Sequence, residues 1–277
     1  MKTILLHVQD DERVDVRVEN ALAIARAADA HLDVMHITPA DAEAVFESFG
    51  GIDVDGQGLQ RLRDAEDALE ARVRKLLENE DVSWDYFRRT GSVVGSLTAG
   101  AALADLIITG RLAHASGGRS SPTQMLGDLL HSTRTPLFIR GDEETRFDPL
   151  GPAMIAWDGS YEAANAVRDA AGLLRLASSV EVVRVIEDEE KADADRGLYP
   201  STRLMEYLSR LDVHADYSTI DEEGGKVSQT LVSHARRIGA GLLVAGGYSH
   251  SRITERLFGG VTRSLLKACP IALVISH

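Results

Sequence analysis

Apolar positions along the chain fall into two textures. Short continuous runs such as TILLHV (Thr3–Val8), LDVMHI (Leu32–Ile37) and GLLVAGG (Gly241–Gly247) are bounded by polar or turn residues. Runs of that length read as buried strands. Between them, apolar residues recur at helical spacing, as in Val18, Ala21, Leu22 and Ala25, or Ala163, Ala166, Val167 and Ala170. This i, i+3, i+4, i+7 pattern predicts helices packed on one side.

The pattern is written twice. TILLHV and its helix match AMIAWD (Ala153–Asp158) and its helix, down to a recurring Asn-Ala at Asn20-Ala21 and Asn165-Ala166. LDVMHI matches VEVVRV (Val180–Val185) as a second strand. A polar helix follows in each half, from Leu59 to about Leu77 and from about Thr202 to Leu211. WDYFR (Trp84–Arg88) and VHADYSTI (Val213–Ile220) come next. Each half then has a helix, a buried run (DLIITG or GLLVAGG) and a closing strand led by proline, PLFIR (Pro136–Arg140) or PIALVIS (Pro270–Ser276). The polar stretch Gly141–Gly151 reads as the linker.

Strands alternating with helices imply parallel strands joined by right-handed crossovers. Two α/β domains of the doubly wound type are expected, with ligands beyond the carboxyl ends of the strands where the winding reverses.

Composition narrows the function. A net charge of −13 disfavours nucleic acid, whose phosphates must be neutralised by Lys and Arg. A small anion site remains compatible, because backbone N–H groups can build one without net charge. The single cysteine, Cys269, excludes an internal disulfide and a multi-cysteine metal site, and reads as a small buried hydrophobe. No apolar run is long enough for a membrane helix, and the N-terminal apolar stretch is too short for a signal-peptide core. A cytoplasmic location is the resulting expectation.

Two glycine pairs, Gly246-Gly247 and Gly259-Gly260, bracket the loop before VTRSLLKA (Val261–Ala268). The first pair ends a strand, where a missing side chain lets a ligand approach the main chain. The second opens a helix whose first N–H groups lack intrahelical partners and suit a phosphate. Thr262 can add a hydroxyl and Arg252 a cation, while Asp158 can accept from an amino group or a ribose hydroxyl. A strand-end turn and a helix cap account for the same glycines equally well. The arrangement is neither a P-loop nor a dinucleotide fingerprint.

Taken with the repeat, these residues resemble the universal stress protein family in a tandem form. ATP-binding members carry Gly-x-x-Gly, nine residues, then Gly-(Ser/Thr) after the fourth strand. Here Gly246, Ser249, Gly259 and Gly260 keep that spacing, with Ser249 in place of the second glycine and Gly260 in place of Ser/Thr. Asp158-Gly159-Ser160 matches the family's Asp-Gly-Ser, whose aspartate faces adenine, and Val185 falls where members contact adenine through backbone and apolar side chain. The resemblance implies two flavodoxin-like domains, residues 1–144 with a degenerate nucleotide site and residues 145–277 with a near-intact motif, and, because members pair through their last strands, a pairing of Pro136–Arg140 with Pro270–Ser276 within the chain. It implies ATP or another adenine nucleotide, with or without Mg, held by Asp158, Val185, Gly246, Ser249, Arg252, Gly259, Gly260, Val261 and Thr262. The role implied is a stress-response regulator or sensor, with a protein partner or self-association and at most slow ATP hydrolysis. A nucleotide-free interaction module is the alternative.

In the first half only Gly110 and Gly127 survive of that motif, and Asp128 follows Gly127 where it would repel phosphate. No nucleotide is expected there. His7 and His36 end strands near the same crevice, with Arg111 and His114 above, which admits a metal or acid–base site but equally separate histidines facing water or carbonyls. Asp53-Val54-Asp55-Gly56 lacks the downstream glutamate of a calcium loop. Gly117–Pro122 reads as a loop, and its serines have no base to activate them. The charged helix from Leu59 reads as a solvated face with i, i+4 pairs.

Overall fold

The computed structural model describes residues 1–39, 58–111, 121–141, 146–186, 199–224, 226–247 and 260–277. These form two compact units, Met1–Thr133 and Arg134–His277.

In the first unit the chain runs β1 (Thr3–Val8), α1 (Val14–Ala28), β2 (His31–Pro39), α2 (Gly58–Leu77), β3 (Trp84–Gly91), α3 (Val93–Gly100), a 3-10 turn (Ala101–Leu103), β4 (Leu106–Thr109) and α4 (Pro122–Ser132). The strands are parallel in the order β3-β2-β1-β4. Ile4, Leu6 and Ile108 are fully buried, each such side chain contributing about 1.5–3 kcal/mol. Val18, Ala21, Leu22 and Ala25 of α1 are all buried, as their spacing requires. On α2 only one stripe is buried, Leu69, Val73 and Leu77. Its charged face is solvated and includes the i, i+4 pair Glu70–Arg74, while Glu66 and Asp67 reach across to Arg88 on β3.

The second unit comprises β5 (Leu137–Ile139), β6 (Ala153–Ala156), α5 (Tyr161–Asp169), α6 (Ala171–Leu174), β7 (Val180–Ile186), α7 (Ser201–Arg210), β8 (Ala215–Asp221), α8 (Val227–Arg237), β9 (Leu242–Gly246), α9 (Gly260–Lys267) and β10 (Ala272–Ser276). Strand order is β5-β10-β9-β6-β7-β8, parallel throughout except that β5 runs antiparallel to β10. The two proline-led closing strands therefore do pair, Phe138 opposite Val274. Within the expected linker, Phe147 is buried and its ring centroid lies 5.0 Å from that of Phe138, the two rings tilted by 60°. That segment is pinned by one apolar side chain rather than being polar throughout. Cys269 is buried as expected.

From β6 to β10 the spatial order is third, second, first, fourth, fifth. This is the Rossmann-type order of a doubly wound sheet, and it reverses its winding between the first and fourth strands. The reversal lies between β6 and β9 in the second unit and between β1 and β4 in the first. Among the described residues, no helix is long and apolar enough to cross a membrane.

Candidate functional site at the strand ends of the second unit

The winding reversal brings the carboxyl ends of β6 and β9 side by side, with β7 on the far side of β6. Beyond β6 the chain stays in register for one more residue, the Trp157 N–H donating to Val183 O at 2.9 Å. It then turns sharply. Asp158 is exposed, and its Oδ1 accepts from Ser160 N at 2.9 Å, closing an Asx turn. Gly159 between them sits at φ 79, a conformation that side chains other than those of Asn and Asp strongly resist. Ser160 caps α5, its Oγ accepting from Ala163 N at 3.1 Å. Asp-Gly-Ser is thus a strand-to-helix turn that leaves a carboxylate at the strand end. Beside it stand two exposed tyrosines, Tyr161 and Tyr199, with ring centroids 6.4 Å apart, and Tyr199 N donates to Gly159 O at 3.0 Å. No sequence signal announced that aromatic pair, because its members lie far apart in the chain.

Gly246 ends β9, yet its missing side chain is already used. A Cβ there would lie 2.5 Å from Ala163 N and 2.6 Å from Glu162 C, so the glycine lets the first turn of α5 rest directly on the strand. The expectation that this gap admits a ligand needs correction: what remains for a ligand is the main chain at the strand end. The next residue is tied down, Gly247 N donating to Ser276 O at 2.7 Å and His277 Nδ1 to Gly247 O at 3.1 Å.

Gly260 behaves differently. It opens α9, is exposed, and a Cβ added to it would meet nothing within 4 Å among the described residues. Val261 is 37% exposed, whereas Thr262 is buried at 5%. The N–H groups of this first turn have no intrahelical acceptors by the geometry of any helix start. Ser228 Oγ on α8 donates to Ser264 Oγ at 3.0 Å and braces the helix. Val185, half-buried near the end of β7, lies opposite Ile220. Of the nine expected residues, Asp158, Val185 and Gly246 fall at adjacent strand ends and Gly260, Val261 and Thr262 on the α9 start. Ser249, Arg252 and Gly259 lie outside the described residues, as do Asp53–Gly56 and His114.

The first unit fills the corresponding place with chemistry of its own. Gly110, past the end of β4, faces the Arg17 guanidinium where Gly246 faces helix backbone. Arg17 is buried, with Nε donating to His7 O at 3.0 Å and a guanidinium nitrogen 2.8 Å from Asp11 Oδ2. Burial raises the Asp11 pKa, but the Arg17 charge and hydrogen bond outweigh that and hold it below the ordinary carboxylate value. His7 and His36 do not face water, contrary to that expectation: they are 1% and 6% exposed. His7 Nδ1 lies 3.3 Å from Thr109 Oγ1, and burial, followed by the Arg17 charge, lowers the His7 pKa to about 3. Burial also lowers that of His36. The register places His7 opposite Met35 and His36 opposite Val8, hence on opposite faces of the sheet, so the two do not converge on one ion. Ser121 caps α4, accepting from Gln124 N at 3.2 Å, with Pro122 at the first helical position. Ser121 and Pro122 are therefore a helix start, while Gly117–Ser120 lie outside the described residues.

Residues 151–277 match the sequence model of the universal stress protein family. No curated protein matches the chain in sequence. In three dimensions the chain resembles a universal stress protein from Archaeoglobus fulgidus DSM 4304 over 99% of its own length and 97% of that chain, with a TM-score of 0.72 at 12% identity. It also resembles a putative universal stress protein from Pseudomonas aeruginosa UCBPP-PA14 (TM-score 0.64, 13% identity, 100% and 93% of the two chains). A functionally unknown protein from Pseudomonas aeruginosa PAO1 is similar to the same degree (TM-score 0.64, 14% identity, 100% and 92%). At such identities the likeness concerns fold, and it extends over both halves.

Proposed function

We propose that the second half of the chain, residues 151–277 being a universal stress protein domain, binds ATP or another adenine nucleotide and that the protein works as a cytoplasmic stress-response regulator or sensor. The observation that carries this reading is the exposed start of α9 at Gly260, open among the described residues, which lies at the spacing from Gly246 that the family's phosphate loop uses. In this reading the amides of Gly259, Gly260, Val261 and Thr262 receive the phosphates, with the α9 dipole favouring the negative charge. Thr262 is buried on the first turn of α9 and would add its hydroxyl from beneath the site. Gly246 and Ser249 supply main chain, Arg252 a cation, Asp158 an acceptor for the amino group or ribose, and Val185 an apolar wall for the base.

Binding with or without Mg fits this set. No residue in it is placed as a general base, so turnover is at most slow. Ser249 and Gly260, which replace the family's Gly and Ser/Thr, favour a second reading: an interaction module that has lost its nucleotide.

Denaturing freshly purified protein and chromatographing the supernatant separates the two. Released adenine nucleotide from the wild type, and none from Gly260→Asp, supports binding. Gly260→Asp is a clean probe, because the added side chain has room and an acidic residue stabilises a helix start while repelling phosphate. An empty wild type whose melting temperature ignores added ATP identifies the interaction module.

A further inference from the structure

At the opposite end of the first unit's sheet, β2 and β3 begin with a small polar cluster. His31 and Asp33 alternate on β2 and so share one face, and Asp85 on β3 is the register partner of Asp33. Ser83 precedes β3 beside His31. The His31 Nε2 atom lies 3.4 Å from Asp33 Oδ1 and 3.3 Å from Asp85 Oδ2, and one ligand atom from each residue fits within 4.8 Å of the others. On the other side of the ring, His31 Nδ1 is 2.9 Å from Ser83 Oγ.

Two features of this geometry point to a cation. Charge-assisted N–H···O bonds run to about 2.7–2.9 Å, and a proton on Nε2 points along a single line. Here two carboxylate oxygens stand off at almost equal, longer distances, which suits neither one strong bond nor two. Ligand atoms about 2.0–2.1 Å from a tetrahedral zinc ion, by contrast, lie about 3.3–3.4 Å from one another. The Ser83 contact supplies the other half of the arrangement. An imidazole donating from Nδ1 to Ser83 turns its Nε2 lone pair toward the two carboxylates, and such an outer partner fixes the ring as metal-bound histidines require. Three electron-pair donors then lie within 4.8 Å of one another.

We propose that His31, Asp33 and Asp85 bind a zinc ion, with Ser83 orienting the imidazole and water completing the tetrahedron. One nitrogen and two carboxylate oxygens are a donor set zinc accepts, and the net charge of −13 favours cation uptake. The ion clips β3, the outermost strand in this unit's order, to β2. The second unit has no such opening at this place: Glu181, at the position of Asp33 in the repeat, accepts from Ser218 Oγ at 2.5 Å and from His234 Nε2 at 2.9 Å.

The test uses tag-free, chelator-stripped full-length protein, ZnCl2 in competition with a chromogenic chelator, and CoCl2 as a spectroscopic substitute. The wild type should take up one equivalent of zinc, show the visible bands of tetrahedral cobalt, and melt at a higher temperature with zinc. His31→Gln and Asp85→Asn should each weaken zinc at least tenfold and erase the bands. Ser83→Ala should weaken it about tenfold while keeping them. Asp85 is largely exposed, with 68% of its side chain accessible, so Asp85→Asn serves if His31→Gln fails to fold. A wild type that leaves all zinc with the chelator, or an Asp85→Asn protein that binds zinc like the wild type, overturns the assignment.

Discussion

Single residues in the first unit carry a pH dependence that can be worked out in sign. In the folded protein His7 stays neutral down to about pH 3, because burial and the neighbouring Arg17 oppose its charge. Once unfolded, the same side chain takes up a proton as pH falls through its ordinary value of 6.5. The unfolded state therefore binds more protons over that window, and stability is lost as pH drops from 6.5 towards 3. His7→Gln removes this contribution, so its melting temperature should fall less steeply with acid than that of the wild type. Equal slopes, or a His7 NMR signal that titrates near 6.5, would contradict the burial argument. Gly246 offers a second residue-scale test. Gly246→Ala sets a methyl against the backbone of Glu162 and Ala163, and should cost about 1–3 kcal/mol in denaturant unfolding, as overpacking does. A neutral result would mean that α5 does not press on the strand.

Among the elements, the α5 start and the α9 start have opposite characters. α5 is closed, capped by the Ser160 hydroxyl and seated on Gly246, so Ser160→Ala should destabilise the protein by about 0.5–2 kcal/mol. α9 begins at an exposed glycine whose added Cβ would meet none of the described residues. Gly260→Ser, which restores the hydroxyl of the family pattern, should tighten ATP binding without lowering the melting temperature of the ligand-free protein, as measured by calorimetric titration and thermal unfolding. Elements of this kind were legible in the sequence for a physical reason. Strand runs such as TILLHV and helix stripes such as Val18–Ala25 are fixed by burial at periods that nothing else produces. Asp-Gly-Ser was legible at the strand end through the family resemblance, whereas the turn that it makes at Gly159 came from the structure. What stayed hidden depends on packing between distant segments: the α5 backbone behind Gly246, the Arg17 side chain beside Gly110, the burial of His7, and the meeting of His31 with Asp85. Glycine marks a close approach in the sequence, but not which partner approaches.

Across the whole molecule, one repeat has been used for two different interiors. At the winding reversal of the second unit the strand ends carry Ala156, Ala245 and Gly246, small residues beside an exposed aspartate and an open helix start. The first unit places His7, Thr109 and the buried Arg17 at the corresponding positions, with Asp11 balancing the charge. Under the proposed function that asymmetry implies a single nucleotide per chain, which is the proposal's central claim. Isothermal titration of the nucleotide-stripped protein with ATP tests it most directly, run alongside Gly260→Asp. The account predicts a saturating isotherm at one equivalent per chain that disappears in Gly260→Asp. Two equivalents, no heat at all, or an isotherm indifferent to Gly260→Asp would contradict it.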